Sequence, residues 1–343
     1  MIGVALEVMA PGSYASFQDL GRRGHRRIGV PWSGALDPRL MRIANALVGN
    51  DEAMPVIECF DGGLQLAARG GVIRVAVAGD ALVEIEVAGR RQVLAGWRSL
   101  CLADGDVLRL RRLERGRIAV IGIEGLALRK TLGSSSTYPR AALGGIDGRA
   151  LTAGVLIPVL PATARRELML PEPTVVDAAP IRVVAGPQAD HFSAATLRAF
   201  GENEYLVTAD ADRMGLRLEG PALEHLGARE IISDATVPGS IQVPGNGQPI
   251  VLLADAQTAG GYPKIATVIG ADLPRLAASR PGKAVRFELI EASEAEQLAR
   301  TAETQTRALI ASLRPLLIGG VDEAAIYACN LVSGVVDALS SID

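Results

Sequence analysis

GVIRVAVAGDALVEIEVAG, residues 71–89, decides the fold. It reads as two short Val/Ile-rich strands, GVIRVAVAG (71–79) and LVEIEVAG (82–89), each closed by glycine. DVLRLRRL (106–113) and RIAVIGIEG (117–125) follow the same plan. Several of these runs alternate apolar with polar side chains at period two, the mark of half-buried antiparallel strands. Regular turn signals between them favour a barrel or sandwich over a fold of alternating strands and helices. At 343 residues the chain exceeds the size of one core, so two domains are expected.

Three helices interrupt the strands. DPRLMRIANALVGN (37–50) carries Asp37 as its N-cap, Pro38 in its first turn and Gly49 as its stop. QADHFSAATLRAFG (188–201) ends at Gly201. A third begins near Ser293, which forms a capping-box pattern with Glu296, and runs to Arg314 before Pro315. The proline-rich stretch MLPEPTVVDAAP (169–180) marks a boundary, and IRVVAG (181–186) restarts the strands. The expected organisation is a β-rich domain over 1–168, a second over 177–291 and a helical tail over 292–343.

Apolar residues make up 49% of the chain and charged residues 21%, the balance of a globular protein. Aromatics are only 3%, so the core must be built from Val, Leu, Ile and Ala. A net charge of −3 argues against nucleic acid as a partner. No run approaches the roughly 20 apolar residues of a membrane span. The opening MIGVALEVMAPGS lacks the basic and apolar regions of a secretory signal, so a cytoplasmic location is expected. Cys59, Cys101 and Cys329 are scattered and lack metal-ligand spacing, which points to neither a disulfide framework nor a metal site. A glycine-rich phosphate loop, a nucleophile elbow and a biotin attachment signal are all missing. GSSST (133–137) reads as a hydrogen-bonding loop.

Four polar, glycine-rich segments do not fit a plain core. They are SFQDLGRRGHRRIGVPWSGALD (16–37), GPQADHF (186–192), DADRMGLRLEG (210–220), and LADAQTAGGYPKIA (253–266) with the preceding GSIQVPGNGQPI (239–250). The last places an acid, an amide, a hydroxyl, a phenol and a lysine within ten residues, although a surface turn needs only its glycines and proline. Lys264 could stabilise a developing negative charge. Asp255 or Asp212 could take a proton from an amide nitrogen. Gln257 and Tyr262 suit a neutral amide, and a pair such as Asp212–Arg213 could bind a carboxylate or brace a loop. The residues alone point to a small polar or anionic ligand held between β-rich domains.

These segments, with ANALVGN and DAQTAGGYPKIATVIGADLPRL, resemble the biotin-dependent carboxyltransferase family, whose members are also called 5-oxoprolinase C subunits or allophanate hydrolase subunit 2. The resemblance runs from near residue 7 to about 291, and NLVSGVVDAL (330–339) matches an ending seen in some members. It implies a mainly β protein with two cyclophilin-like β-barrel domains. It also implies B-like and A-like partner subunits, and an ATP-dependent, magnesium-requiring hydrolysis of the lactam 5-oxoproline to glutamate. The alternatives are a carboxyltransferase that takes carboxybiotin from a separate carrier to urea or another amide, and a regulatory antagonist of a kinase inhibitor. The implied catalytic residues are Lys264, Asp212 and Asp255. Arg213, Gln257, Thr258, Tyr262, Gln188, Gln18, Asp19 and Arg22 would bind substrate. Ser135 stands where the family commonly has arginine, and Ala278 where it has glutamine.

Overall fold

The computed structural model describes residues 3–163, 166–171 and 179–316. Cys329, NLVSGVVDAL and most of the expected boundary stretch lie outside the described residues. The protein is mainly β, with four α-helices among the described residues: α1 Pro38–Val48, α2 Ala194–Glu202, α3 Leu273–Ala277 and α4 Ala292–Ala311.

The first half is two facing antiparallel sheets. One has six strands in the order Leu156–Pro158, Ala5–Pro11, Leu64–Arg69, Val107–Leu113, Ala81–Val87, Arg90–Ala95. The other orders Tyr14–Gln18, Val56–Phe60, Ile118–Ile123, Ile73–Ala78, Arg98–Leu102, Leu168–Met169 and Arg314–Pro315. Leu6, Phe17, Ile57, Leu66, Val75, Val83, Leu108 and Ile121 fill the space between them. Residues 71–89 supply one strand to each sheet. Ile73–Ala78 is buried along its whole length because it is covered on both faces. Ile73, Val75 and Val77 face the inter-sheet core, while Ala76 and Ala78 join the core around α1. Helix α1 lies so close to this sheet that a Cβ on Gly122 would come within 2.5 Å of the Ala44 carbonyl oxygen.

The second half closes into a seven-stranded barrel, Ile181–Ala185, Lys264–Val268, Ser240–Gln242, Ile250–Leu252, Gly215–Glu219, Glu204–Ala211 and Ala284–Leu289. Closure removes the exposed edges an open sheet would leave. It is made by parallel pairing of Ile181–Ala185 with Ala284–Leu289. Phe200 stacks on Phe287, and Tyr205 packs against both rings at a tilt. The barrel core is continuous with that around α1, where Leu40, Ile43 and Leu47 are buried, so the two halves share an apolar seam.

Helix α1 follows its sequence signals. Asp37 accepts hydrogen bonds from the Arg39 and Leu40 N–H groups at 2.9 and 3.1 Å, and Gly49 ends the helix at φ 75°. The other two helices require correction. Helix α2 begins at Ala194 rather than near Gln188, because Ser193 caps it by accepting the Thr196 N–H at 3.0 Å. Gly201 lies inside its last turn rather than beyond it. In α4 the extended residue before the helix is Glu291, which leaves Ser293 in the first turn and the capping box unformed. Arg314 and Pro315 are not helical, because they pair as a strand with Leu168 and Met169.

Candidate functional site

The polar segments meet where the barrel abuts the sheets, and they do so in three groups. Arg213, on the turn between two barrel strands, is buried and enclosed by carboxylates. Its Nε and Nη2 donate to Asp255 at 2.9 and 3.3 Å, its Nη2 donates to the Gly34 carbonyl at 2.6 Å, and its Nη1 donates to Glu58. Glu58 lies in the sheet strand Val56–Phe60, is 0% exposed, and accepts the Leu36 N–H at 2.7 Å. Burial raises the Glu58 carboxyl pKa above its usual range, against the pull of Arg213 and that N–H. Burial alone would lower the Arg213 pKa, but Asp255 and Glu58 hold it above its ordinary value. This buried three-residue cluster joins the two halves. Glu58 has no sequence neighbour suggesting a site, and sequence reasoning missed it.

The expected Asp212–Arg213 ion pair does not form. Adjacent residues at this turn point apart. Asp212 Oδ1 accepts the Met214 and Gly215 N–H groups at 2.7 and 3.2 Å, while Arg213 turns inward.

The second group is built on Asp19. Its Oδ1 accepts from the Ser134 and Ser136 hydroxyls at 2.6 Å each and from the Gly21 N–H at 2.8 Å, and its Oδ2 accepts the Ser135 N–H at 2.6 Å. Four hydrogen bonds to one ionised side chain are strong ones, and they fold the serine loop around residue 19. Gln18 donates to Ser16 and to the Thr137 carbonyl. Arg22 donates to the carbonyls of Ser136 and Thr131, and burial lowers its pKa. The serine loop leads directly into Tyr138, Pro139 and Arg140.

Lys264 anchors the third group. It begins the strand Lys264–Val268, is 1% exposed, and its Nζ donates to Asp234 at 3.0 Å. Gln188 donates to the same Asp234 oxygen at 3.0 Å and accepts the Lys264 N–H at 3.3 Å. Hydrogen bonds from Lys264 and then Gln188 hold the Asp234 carboxyl below its usual range. Asp234 carries no sequence signal; only the pairing of Asp234–Ala235 with Ala259–Gly260 brings it here. Nearby, Gln257 donates to the Gln242 side chain at 3.2 Å. A Cβ on Gly260 would come within 2.4 Å of Gln242 Nε2, so this glycine provides clearance for an amide and needs no positive φ. The Thr258 carbonyl accepts from the Thr236 N–H at 3.1 Å and from Arg26.

Two cavities open beside these groups. The smaller, about 290 Å³, lies between the halves and is lined by Tyr14, Phe60, Asp61, Arg117, Tyr138, Arg140, Asp212, Arg213, Met214 and Asp255 among others. The larger, about 1260 Å³, runs along the barrel past Arg140, Asp212, Arg217, Gln242, Gln248, Gln257 and Tyr262. Of the residues singled out by sequence, Asp212, Arg213, Asp255, Gln257 and Tyr262 line a cavity. Lys264, Gln188, Thr258, Gln18, Asp19 and Arg22 line neither and stand behind the walls. Arg140 lines both, and a lone arginine after a serine loop gave no warning of that.

Residues 28–289 match the family model described as carboxyltransferase domain, subdomain A and B. The chain is 37% identical to the 5-oxoprolinase C subunit of Haemophilus influenzae, covering 87% of this chain and 95% of that one. It is 35% identical to the 5-oxoprolinase C subunit of Escherichia coli, with coverages of 85% and 94%. The crystal structure of the Kluyveromyces lactis urea carboxylase superposes with a TM-score of 0.78 at 26% identity, over 91% of this chain but only 30% of that one. The likeness holds across both the sheets and the barrel, and the chain belongs to the family of carboxyltransferase domains composed of subdomains A and B.

Proposed function

We propose that the chain is the C component of an ATP-dependent 5-oxoprolinase, which hydrolyses 5-oxo-L-proline to L-glutamate together with B-like and A-like partner subunits. One observation carries the reading. The proteins named as the C subunit of 5-oxoprolinase are matched over nearly their whole length, whereas the urea enzymes are matched over a minor part of theirs. The cavity chemistry agrees with it. Gln242, Gln248, Gln257 and Tyr262 present amide and phenol groups to the larger cavity, and Gln242 Nε2 is buried with no hydrogen-bond acceptor among the described residues. A buried donor without a partner is costly, and a lactam carbonyl would satisfy it.

In this reading Gln257 and Tyr262 contact the lactam and Asp212 serves as the base. Lys264 and Asp255, both tied in ion pairs, hold the walls in register, as do Asp19 and Arg22. Among the described residues no three His, Cys, Asp or Glu side chains converge as a metal site. ATP and magnesium act at the level of the assembled complex in this reading. No helix of the described residues is long and apolar enough to cross a membrane.

The second reading is transfer of a carboxyl group from carboxybiotin on a separate carrier to urea or a related amide. It is favoured by the superposition on urea carboxylase. The test is ATP hydrolysis by the complex reconstituted with A-like and B-like subunits from the same source. The expected result is turnover that needs both 5-oxoproline and this chain and falls on Gln257→Ala. An assembled complex indifferent to 5-oxoproline would overturn the first reading. Urea with a biotinylated carrier would then test the second.

A further inference from the structure

Six charged side chains line the smaller cavity, and four of them are already paired. Arg117 donates to Asp61 at 2.7 Å, and Arg213 to Asp255 at 2.9 Å. Arg140 and Asp212 remain. Both line the larger cavity as well, so they stand on the wall that the two cavities share. Arg140 is exposed and has no carboxylate within ion-pairing distance among the described residues. Asp212 uses only Oδ1 to cap its turn, which leaves Oδ2 without a hydrogen bond among the described residues.

We infer that this junction is a recognition site for a small carboxylic acid bearing an adjacent N–H, with Arg140 binding the carboxylate and Asp212 Oδ2 accepting the N–H. A guanidinium matches a carboxylate in a two-bond geometry that an ammonium cannot reproduce. Met214 lines both cavities beside them and offers an apolar face to a compact ring. Two free charges of opposite sign on one wall select a ligand carrying both an anionic acceptor and a donor, and discriminate against simple amides, which lack the anion. The inference rests on the 5-oxoproline reading and goes further by naming the groups that tell 5-oxoproline from an unsubstituted lactam. Arg140 is a specificity-determining residue in this account.

The test has two arms, both using the full chain in its assembled complex. Calorimetric titration with 5-oxoproline and with 2-pyrrolidinone, which lacks the carboxylate, reads binding directly. Steady-state ATP hydrolysis reads KM. Arg140→Gln should weaken 5-oxoproline binding and raise its KM at least about tenfold, the effect of losing a charged hydrogen-bonded contact. Arg140→Lys should recover part of it. Asp212→Asn keeps an acceptor for the turn N–H groups and should weaken both lactams. The preference for 5-oxoproline over 2-pyrrolidinone should collapse in Arg140→Gln alone. An Arg140→Gln complex with unchanged preference and unchanged KM would overturn the inference while leaving the 5-oxoprolinase reading intact. A wild-type complex that does not turn over 5-oxoproline removes that reading, and the binding arm then decides the inference. Carboxylate-dependent binding lost in Arg140→Gln upholds it, and absent or Arg140-independent binding refutes it.

Discussion

Replacing Arg213 by methionine tests the account of how the two halves are joined. The substitution keeps most of the side-chain volume and removes the cation and its four hydrogen bonds. Glu58 and Asp255, 0% and 4% exposed, are then left facing each other without a counter-charge. Stripping one partner from a buried ion pair costs about 3–5 kcal/mol, or a loss of roughly two to four orders of magnitude in the folding equilibrium at about 1.4 kcal/mol per decade. The cost must depend on pH. The Glu58 carboxyl pKa already lies above its ordinary 4.5 because burial outweighs Arg213. A raised acid contributes stability that is complete below the unfolded pKa and is lost as pH rises through the folded one. Without Arg213 the Glu58 pKa climbs further, so the deficit of the variant widens as pH rises through the folded-state pKa that Glu58 has in the parent protein, and it is compared at about pH 5 and about pH 8. Urea unfolding, followed by the fluorescence of Trp32 and Trp97, measures the deficit at both values. Adding Glu58→Gln to the variant should restore part of the loss, because the amide is neutral and can still accept the Leu36 N–H. A deficit under about 1 kcal/mol, the worth of a surface pair, or one that is the same at both pH values, would refute the reasoning.

Further outcomes follow from other sites. Asp37→Ala should destabilise α1 by about 1 kcal/mol, as loss of an N-cap does, and its effect is read from the unfolding midpoint. The Asp234 carboxyl, followed by carbon NMR, should titrate below its ordinary 3.8. In Lys264→Met it should move back toward that value, and an unmoved titration would show that the ion pair with Lys264 does not form in solution. In a Cys329→Ser background, Cys101 is exposed and Cys59 is buried with its thiol pKa pushed up. A thiol reagent should therefore modify Cys101 quickly and Cys59 only on unfolding.

Local signals determined much of this protein. Helix α1 matches its caps because capping is settled by neighbours within four residues, and GVIRVAVAG forms its strand because period and composition act along a single segment. The polar segments also announced a polar junction between β-rich halves. They did not announce how it is wired. Asp212 and Arg213 are adjacent in sequence, yet Arg213 finds its partners at Asp255 and, 155 residues back, at Glu58. Lys264 looked like a group poised at a reacting centre, and only the strand pairing that delivers Asp234 supplies its ion-pair partner. Arg140 sat unremarked after a serine loop until the meeting of sheet and barrel placed it on the wall of both cavities. The physical reason is the same in each case. Caps, turns and strand periods depend on a few adjacent dihedrals. Which charge meets which, and which is left free, depends on segments that only the closed barrel and its seam with the sheets bring within hydrogen-bonding distance.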